Sequence, residues 1–126
     1  MSNYNKAFNV LLDRFLNDLV KSYPEEHKFR DLVRAANTLV KFNFKKPLYL
    51  FRKKVILLFR ENIVNRDETF FMENDYSEMA NNSKNKEDAF QLIDRLKEYW
   101  SSMSDNNKKI IWDYLNKLII LSDKIG

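Results

Sequence analysis

The stretch Tyr4-Asn5-Lys6-Ala7-Phe8-Asn9-Val10-Leu11-Leu12-Asp13-Arg14-Phe15-Leu16-Asn17-Asp18-Leu19-Val20-Lys21-Ser22 decides the fold class. Its apolar residues Phe8, Leu11, Leu12, Phe15, Leu16 and Leu19 recur at i, i+3, i+4 and i+7, while Asn9, Asp13, Arg14, Asn17, Asp18 and Lys21 fall opposite. That is the period of a helix burying one stripe; a half-buried strand alternates by two. The chain holds a single glycine, the terminal Gly126. Hairpin turns need residues that accept φ > 0, nearly always Gly or Asn-Gly, so an antiparallel sheet has no turns to use. The expectation is an all-α protein.

Working outward, Pro24 suits the first turn of a second helix, with Glu25 and Glu26 complementing the helix dipole and Phe29, Leu32, Val33, Ala36 and Val40 forming the buried stripe. Phe42-Asn43-Phe44-Lys45-Lys46 interrupts that stripe, and Pro47 opens a third helix to about Asn62. On its wheel Leu48, Phe51, Val55, Leu58 and Phe59 share one face, whereas Tyr49, Leu50, Ile56 and Leu57 fall on the other. A helix apolar nearly all round is central in its domain or covered by a partner. A short helix near 67–72 and then a flexible connector through Asn81-Asn82-Ser83-Lys84-Asn85 follow. Asn85 caps a fourth helix with the stripe Ala89, Phe90, Ile93, Leu96, Trp100 and Met103, ending at Ser101-Ser102. Ser104 caps a fifth, with Ile111, Tyr114, Leu115, Leu118, Leu121 and Ile125 as its broad apolar face, Trp112 and Ile119 flanking it, and Ile120 alone in the polar face. Residues 1–126 therefore read as a single helical domain, a compact bundle of five main helices with a sixth short one near 67–72. The expected core includes Phe8, Leu12, Phe15, Leu19, Leu32, Val33, Phe51, Val55, Leu58, Ile93, Leu96, Trp100, Ile111, Leu115 and Leu118.

At 126 residues such a domain buries roughly two thirds of its unfolded surface without disulfides or a structural metal. Cysteine is absent, which removes a thiolate zinc site and fits a reducing compartment, so an intracellular location is expected. The longest wholly apolar run is Val55-Ile56-Leu57-Leu58-Phe59, far short of the ~20 residues a spanning helix needs, so neither secretion nor membrane insertion is expected.

The usual apparatus of catalysis is missing. His27 is the only histidine and sits among Glu25, Glu26 and Lys28, a polar setting that fits a solvated side chain rather than an oriented base. Glu73, Asn74, Asp75 and Glu78 lack the glycine and alternating oxygen ligands of a calcium loop, and no Glu-x-x-His pair exists for a helical di-metal site. No enzyme activity, metal, cofactor or small-molecule substrate is expected.

Charge is arranged in blocks. Residues 32–60 carry eight cations (Arg34, Lys41, Lys45, Lys46, Arg52, Lys53, Lys54, Arg60) and no acid, and residues 61–80 carry six acids against Arg66 alone. The two blocks either face one another or meet partners of opposite sign. Within the first, Lys41-Phe42-Asn43-Phe44-Lys45-Lys46-Pro47-Leu48-Tyr49-Leu50-Phe51-Arg52-Lys53-Lys54 interleaves cations with aromatics. This is the composition of a nucleic-acid surface, with Lys45, Lys46, Arg52, Lys53 and Lys54 on phosphates and Tyr49 or Phe44 stacking on bases. It is equally the composition of a helix junction, in which Phe51 points inward, Phe42 and Phe44 plug the joint and the lysines solvate the outside.

The ending Tyr99-Trp100-Ser101-Ser102-Met103-Ser104-Asp105-Asn106-Asn107-Lys108-Lys109-Ile110-Ile111-Trp112-Asp113-Tyr114-Leu115-Asn116-Lys117-Leu118 resembles a W..MS..NK..IW.YL..L pattern. That pattern recurs in small uncharacterised all-helical proteins of nucleocytoplasmic large DNA viruses that infect algae and protists, and the exit Tyr23-Pro24-Glu25 is similar to theirs. The resemblance implies a viral origin and a helical fold, and it brings no catalytic residue. The functional expectation is a non-catalytic protein-interaction or structural component of a large DNA virus, in the host cytoplasm, virus factory or virion. Its interface, for a partner or a second copy, is expected around Tyr49, Leu50, Ile56, Leu57 and Ile120. The alternative is nucleic-acid binding by the basic 32–60 block.

Overall fold

The computed structural model describes residues 4–73 and 88–125. The 3.6-residue period of the opening stretch forms α1 (Tyr4–Ser22), which buries Phe8, Phe15, Leu16 and Leu19. Pro24 does not start the next helix. Its fixed φ serves a turn closed by Glu26 N–H donating to the Tyr23 carbonyl at 3.0 Å. Glu26 then caps α2 (His27–Phe42), its carboxylate accepting from the Lys28 N–H at 3.2 Å. Pro47 sits in the first turn of α3 (Lys46–Phe51), as its missing N–H allows.

The helix opened by Pro47 does not run straight on. After α3 come one π-helical turn, Arg52–Ile56, and then α4 (Leu57–Val64). A π turn holds an extra residue, so every apolar position after it lags by one. The 3.6 period places Leu58 inside and Ile56 outside. Instead Ile56 and Ile63 are buried and Leu58 is exposed. Arg52 is fixed within that turn by contacts to the far end of the molecule: its Nε donates to Ser122 Oγ at 2.8 Å, and its Nη2 donates to the carbonyls of Ser122 and Ile125.

A chain almost without glycine still has to end α4. Asn65 closes the helix and Arg66 takes the left-handed conformation, φ 52°, that glycine usually fills. Arg66 N–H bonds the Ile63 carbonyl at 3.1 Å and Asp67 N–H the Asn62 carbonyl at 2.8 Å, the paired bonds of a Schellman stop. The short α5 (Thr69–Met72) follows, inside the range expected for it. α6 (Asp88–Trp100) and α7 (Asp105–Asp123) complete the five main helices, α7 being capped by Ser104 Oγ accepting from Asn107 N–H at 3.1 Å. The Asn81–Asn85 connector, the Asn85 cap, and the side chains of Ala89 and Phe90 lie outside what the structure describes.

α1 packs on both α2 and α7, α6 lies against α2, α5 and the π turn, and α4 against α7. The buried side chains form one cluster to which α1, α2, α3, the π turn, α4, α6 and α7 contribute. Of the expected core, Leu12 and Val33 are half-buried at its margin and Leu58 has turned out; the others are inside. Trp100 is fully enclosed and meets Trp112 edge-to-face at 5.2 Å. Among the described residues no strand occurs, and no helix is long and apolar enough to cross a membrane.

Candidate binding surfaces

The one-residue lag of the π turn sorts the five expected interface positions. Ile56 belongs to the core and is not available to a partner. Leu50 lines an inward apolar groove with Leu12, Leu16, Leu32, Leu39 and Val55, between α1, α2 and α3. Tyr49, Leu57 and Ile120 remain on the surface, Leu57 at 78% exposure.

Leu57 and Ile120 are carried by α4 and α7, two helices that pack together. Asn116 and Asp123, on the same helical stripe as Ile120, both reach α4: Asn116 Nδ2 donates to the Ile63 carbonyl at 3.1 Å, and Asp123 pairs with Arg60 through two bonds of 2.9 and 2.7 Å. Ile120 lies between those two anchors. On the other side of Arg60, Leu57 and Val64 sit three residues before it and four after, and Leu58 is exposed beside them. The two-pronged ion pair thus joins two helices that carry four exposed apolar side chains, Leu57, Leu58 and Val64 on α4 and Ile120 on α7. The bonds from Arg60 hold the Asp123 carboxyl below its ordinary range and raise the guanidinium in turn. Leu58 was not legible as an interface position, because the π lag that turns it out has no marker in a wheel of constant pitch, and Val64 lies past the expected end of that helix.

Tyr49 belongs to a different surface. Phe42 is 87% exposed, and Phe44 and Tyr49 are each about half exposed, so neither phenylalanine plugs the joint. For Phe42 a signal existed: counted at 100° per residue it falls on the side of α2 away from Phe29, Leu32 and Val33. Lysines stand over these rings. Lys45 Nζ lies 5.8 Å from the Phe44 centroid, and Lys46 and Lys53 lie 5.0 and 5.9 Å from that of Tyr49. The connector that presents the rings is held by its own bonds. Asn43 N–H bonds the Leu39 carbonyl at 2.8 Å, Lys45 N–H bonds Asn43 Oδ1 at 3.1 Å, and Asn9 Nδ2 bonds the Phe44 carbonyl at 2.9 Å.

The five expected nucleic-acid contacts divide as well. Arg52 is committed to the end of α7 and cannot reach a phosphate without uncapping it. Lys45, Lys46 and Lys53 stand at the aromatic surface, and Lys54 follows half-buried in the π turn. Two acids of the acidic block are engaged elsewhere. Asp67 accepts from Thr69 N–H at 3.0 Å and from Asn62, and Glu68 accepts from Trp100 Nε1 at 3.2 Å and from Lys108 at 3.3 Å. Among the described residues no ion pair involves Lys41, Lys45, Lys46 or Lys53. Asp75 and Glu78 lie outside the described residues, as does most of the acidic stretch weighed as a metal site.

Elsewhere polar groups are answered locally. His27 is 65% exposed, with Nδ1 3.9 Å from Glu26. Glu26 also accepts from Tyr99 Oη at 3.2 Å and from Arg95 at 3.4 Å. Burial works to raise its pKa, but the Lys28 N–H, Tyr99 and Arg95 together bring it below the usual range. A cleft of about 220 Å³ between α1 and α7 is lined in part by Asp18, Tyr23, Asn107 and Tyr114. In it Tyr114 donates to Asp18, and burial followed by that carboxylate pushes its pKa up to about 12. Among the described residues no group of three His, Asp or Glu side chains is placed to hold a metal ion. No family model, curated protein or solved structure matches the chain.

Proposed function

We propose that the protein is a non-catalytic interaction component that docks a partner protein through the seam of α4 and α7, and that it serves a large DNA virus in the virus factory or the virion. One observation carries the docking reading: Leu57, Leu58, Val64 and Ile120 are all at least half exposed on the two helices that the Arg60–Asp123 pair joins. Exposed apolar side chains on helices joined by an arginine already held in one geometry suit an interface, where water exclusion strengthens the charged bonds and arginine often supplies the binding energy. The non-catalytic reading is supported by the solvated position of the only histidine. The viral reading rests on the resemblance of residues 99–118.

The test compares the wild-type chain with the double variant Leu57→Ser, Ile120→Ser, by light scattering of the purified proteins and by pull-down from infected-cell lysate. Both chains should show the same helical circular dichroism. A self-associated mass, or a captured protein, that is lost in the variant supports docking at the seam. A strict monomer whose captured proteins are the same with and without the substitutions overturns it.

A further inference from the structure

We infer that the exposed rings of Phe42, Phe44 and Tyr49, with Lys45, Lys46 and Lys53, form a binding site for single-stranded nucleic acid. The inference is independent of the docking seam. Three observations carry it. First, the rings stand outside the core on fixed backbone: Phe42 ends α2, Tyr49 is in α3, and Phe44 is on the connector between them, which bonds from Asn9 and Asn43 hold. Second, the cations beside them have no ion pair among the described residues, and their ammonium groups stand 5.0 to 5.9 Å from the Phe44 and Tyr49 ring centroids. Third, a shallow depression adjoins the Phe44 ring, giving a base an apolar floor of Val10 and Val40 with the amides of Asn9 and Asn37 and one charge of each sign, Lys6 and Asp13, in its lining.

An ammonium over an exposed ring is a weak contact, and a base stacked on the same ring is a stronger one. A base arriving at Tyr49 therefore displaces Lys46 or Lys53 from the ring face, and the displaced ammonium is left within reach of the adjoining phosphate. One strand of unstacked bases can make both contacts at once. A duplex offers the phosphates but keeps its base faces stacked, so it can use only the lysines. A membrane surface would meet apolar tips projecting beyond their cations, whereas here the cations lie over two of the three rings, Phe44 and Tyr49.

The experiment is a fluorescence-anisotropy titration of the full chain against a labelled single-stranded dT 20-mer. A duplex of equal length and vesicles of phosphatidylserine in phosphatidylcholine serve as parallel probes. Three lysines on three phosphates give a log–log salt slope of about −2 for a single strand. Lys45→Glu with Lys53→Glu should weaken binding at least tenfold and flatten that slope. Phe44→Ala with Tyr49→Ala should weaken it by about tenfold or more and leave the slope unchanged. Leu57→Ser with Ile120→Ser should leave it within twofold, which separates this site from the seam. Circular dichroism confirms that each variant is folded. The inference is overturned by no binding at low salt, by duplex bound as tightly with the ring variants neutral, or by vesicles bound where the oligonucleotide is not.

Discussion

Of the regions that place a lysine over an aromatic ring, two end in opposite states. At the junction of α6 and α7, Lys108 Nζ stands 5.5 Å from the Trp100 ring, but that ring is fully buried and Glu68 accepts from both Lys108 and the indole N–H. At the junction of α2 and α3, Lys46 Nζ stands 5.0 Å from Tyr49, whose ring is half exposed, and no carboxylate answers the charge among the described residues. The distances are alike; burial and the nearby acid are not. A cation over a ring is part of the scaffold where the ring is inside and the charge is paired. Where neither holds, the pair keeps its capacity for a ligand.

The comparison breaks first at the tryptophan. Trp100→Ala empties the largest fully buried side chain and should cost about 3–5 kcal/mol, read as a lowered midpoint in urea denaturation followed by circular dichroism. Leu115, fully buried on α7, should cost about 2–5 kcal/mol on the same change. If Trp100→Ala unfolds at the wild-type midpoint, the closed junction is not part of the scaffold and the contrast fails.

Most of this scaffold was legible in the sequence, because long helices with a regular apolar stripe state their own inner face. Phe8, Phe15, Ile93, Leu96 and Leu118 are buried where the period puts them. Ser104 caps α7 as its side chain dictates. The misplacements have separate causes. Ile56 and Leu58 exchanged places because a π turn intervenes, and its Arg52 bonds the end of α7, some seventy residues later in the chain. Pro24 went to a turn because Glu26 was the better cap. At the surface, the interleaved cations and aromatics were visible, but their exposure depends on which way α2 rolls, and only Phe42 carried that in its position on the wheel.

The second prediction divides the basic run itself. Arg52 and Lys53 are neighbours of equal charge, yet Arg52 bonds two terminal carbonyls and Ser122 while Lys53 faces water. Arg52→Ala should cost about 1.5–3 kcal/mol. Arg52→Lys should not restore it, because one ammonium cannot reproduce the forked geometry that serves three acceptors. Denaturation midpoints of the two variants check this; full recovery with lysine would show that charge alone caps α7.

A smaller effect marks the closed side through pH. Glu26 is held below its reference value of 4.5 in the fold, so its contribution is present above that value and is lost as the pH falls through the lower, folded one. Glu26→Gln should cost about 1 kcal/mol at neutral pH. It should also make the fall in stability below about pH 4.5 shallower. Thermal melts from pH 3 to pH 7, compared between the two chains, read both effects. Parallel curves would remove Glu26 from the acid response.

The smallest effect belongs to the open junction, and its smallness is the point. Phe42 is 87% exposed, and Lys45 and Lys53 lack ion pairs among the described residues, so removing them withdraws almost nothing that folding has gained. An exposed cation over a ring contributes about 0.5–1 kcal/mol at most, and reversing the lysine charges also relieves repulsion within a run of eight cations without an acid. Phe42→Ala, and Lys45→Glu with Lys53→Glu, should therefore each leave stability within about 0.5 kcal/mol of the wild type. Urea denaturation of the same preparations used for the oligonucleotide titration measures it directly. A loss of about 2 kcal/mol or more, on the order of a buried contact, would mean that these side chains hold the bundle together, and the two junctions would then differ in degree and not in kind.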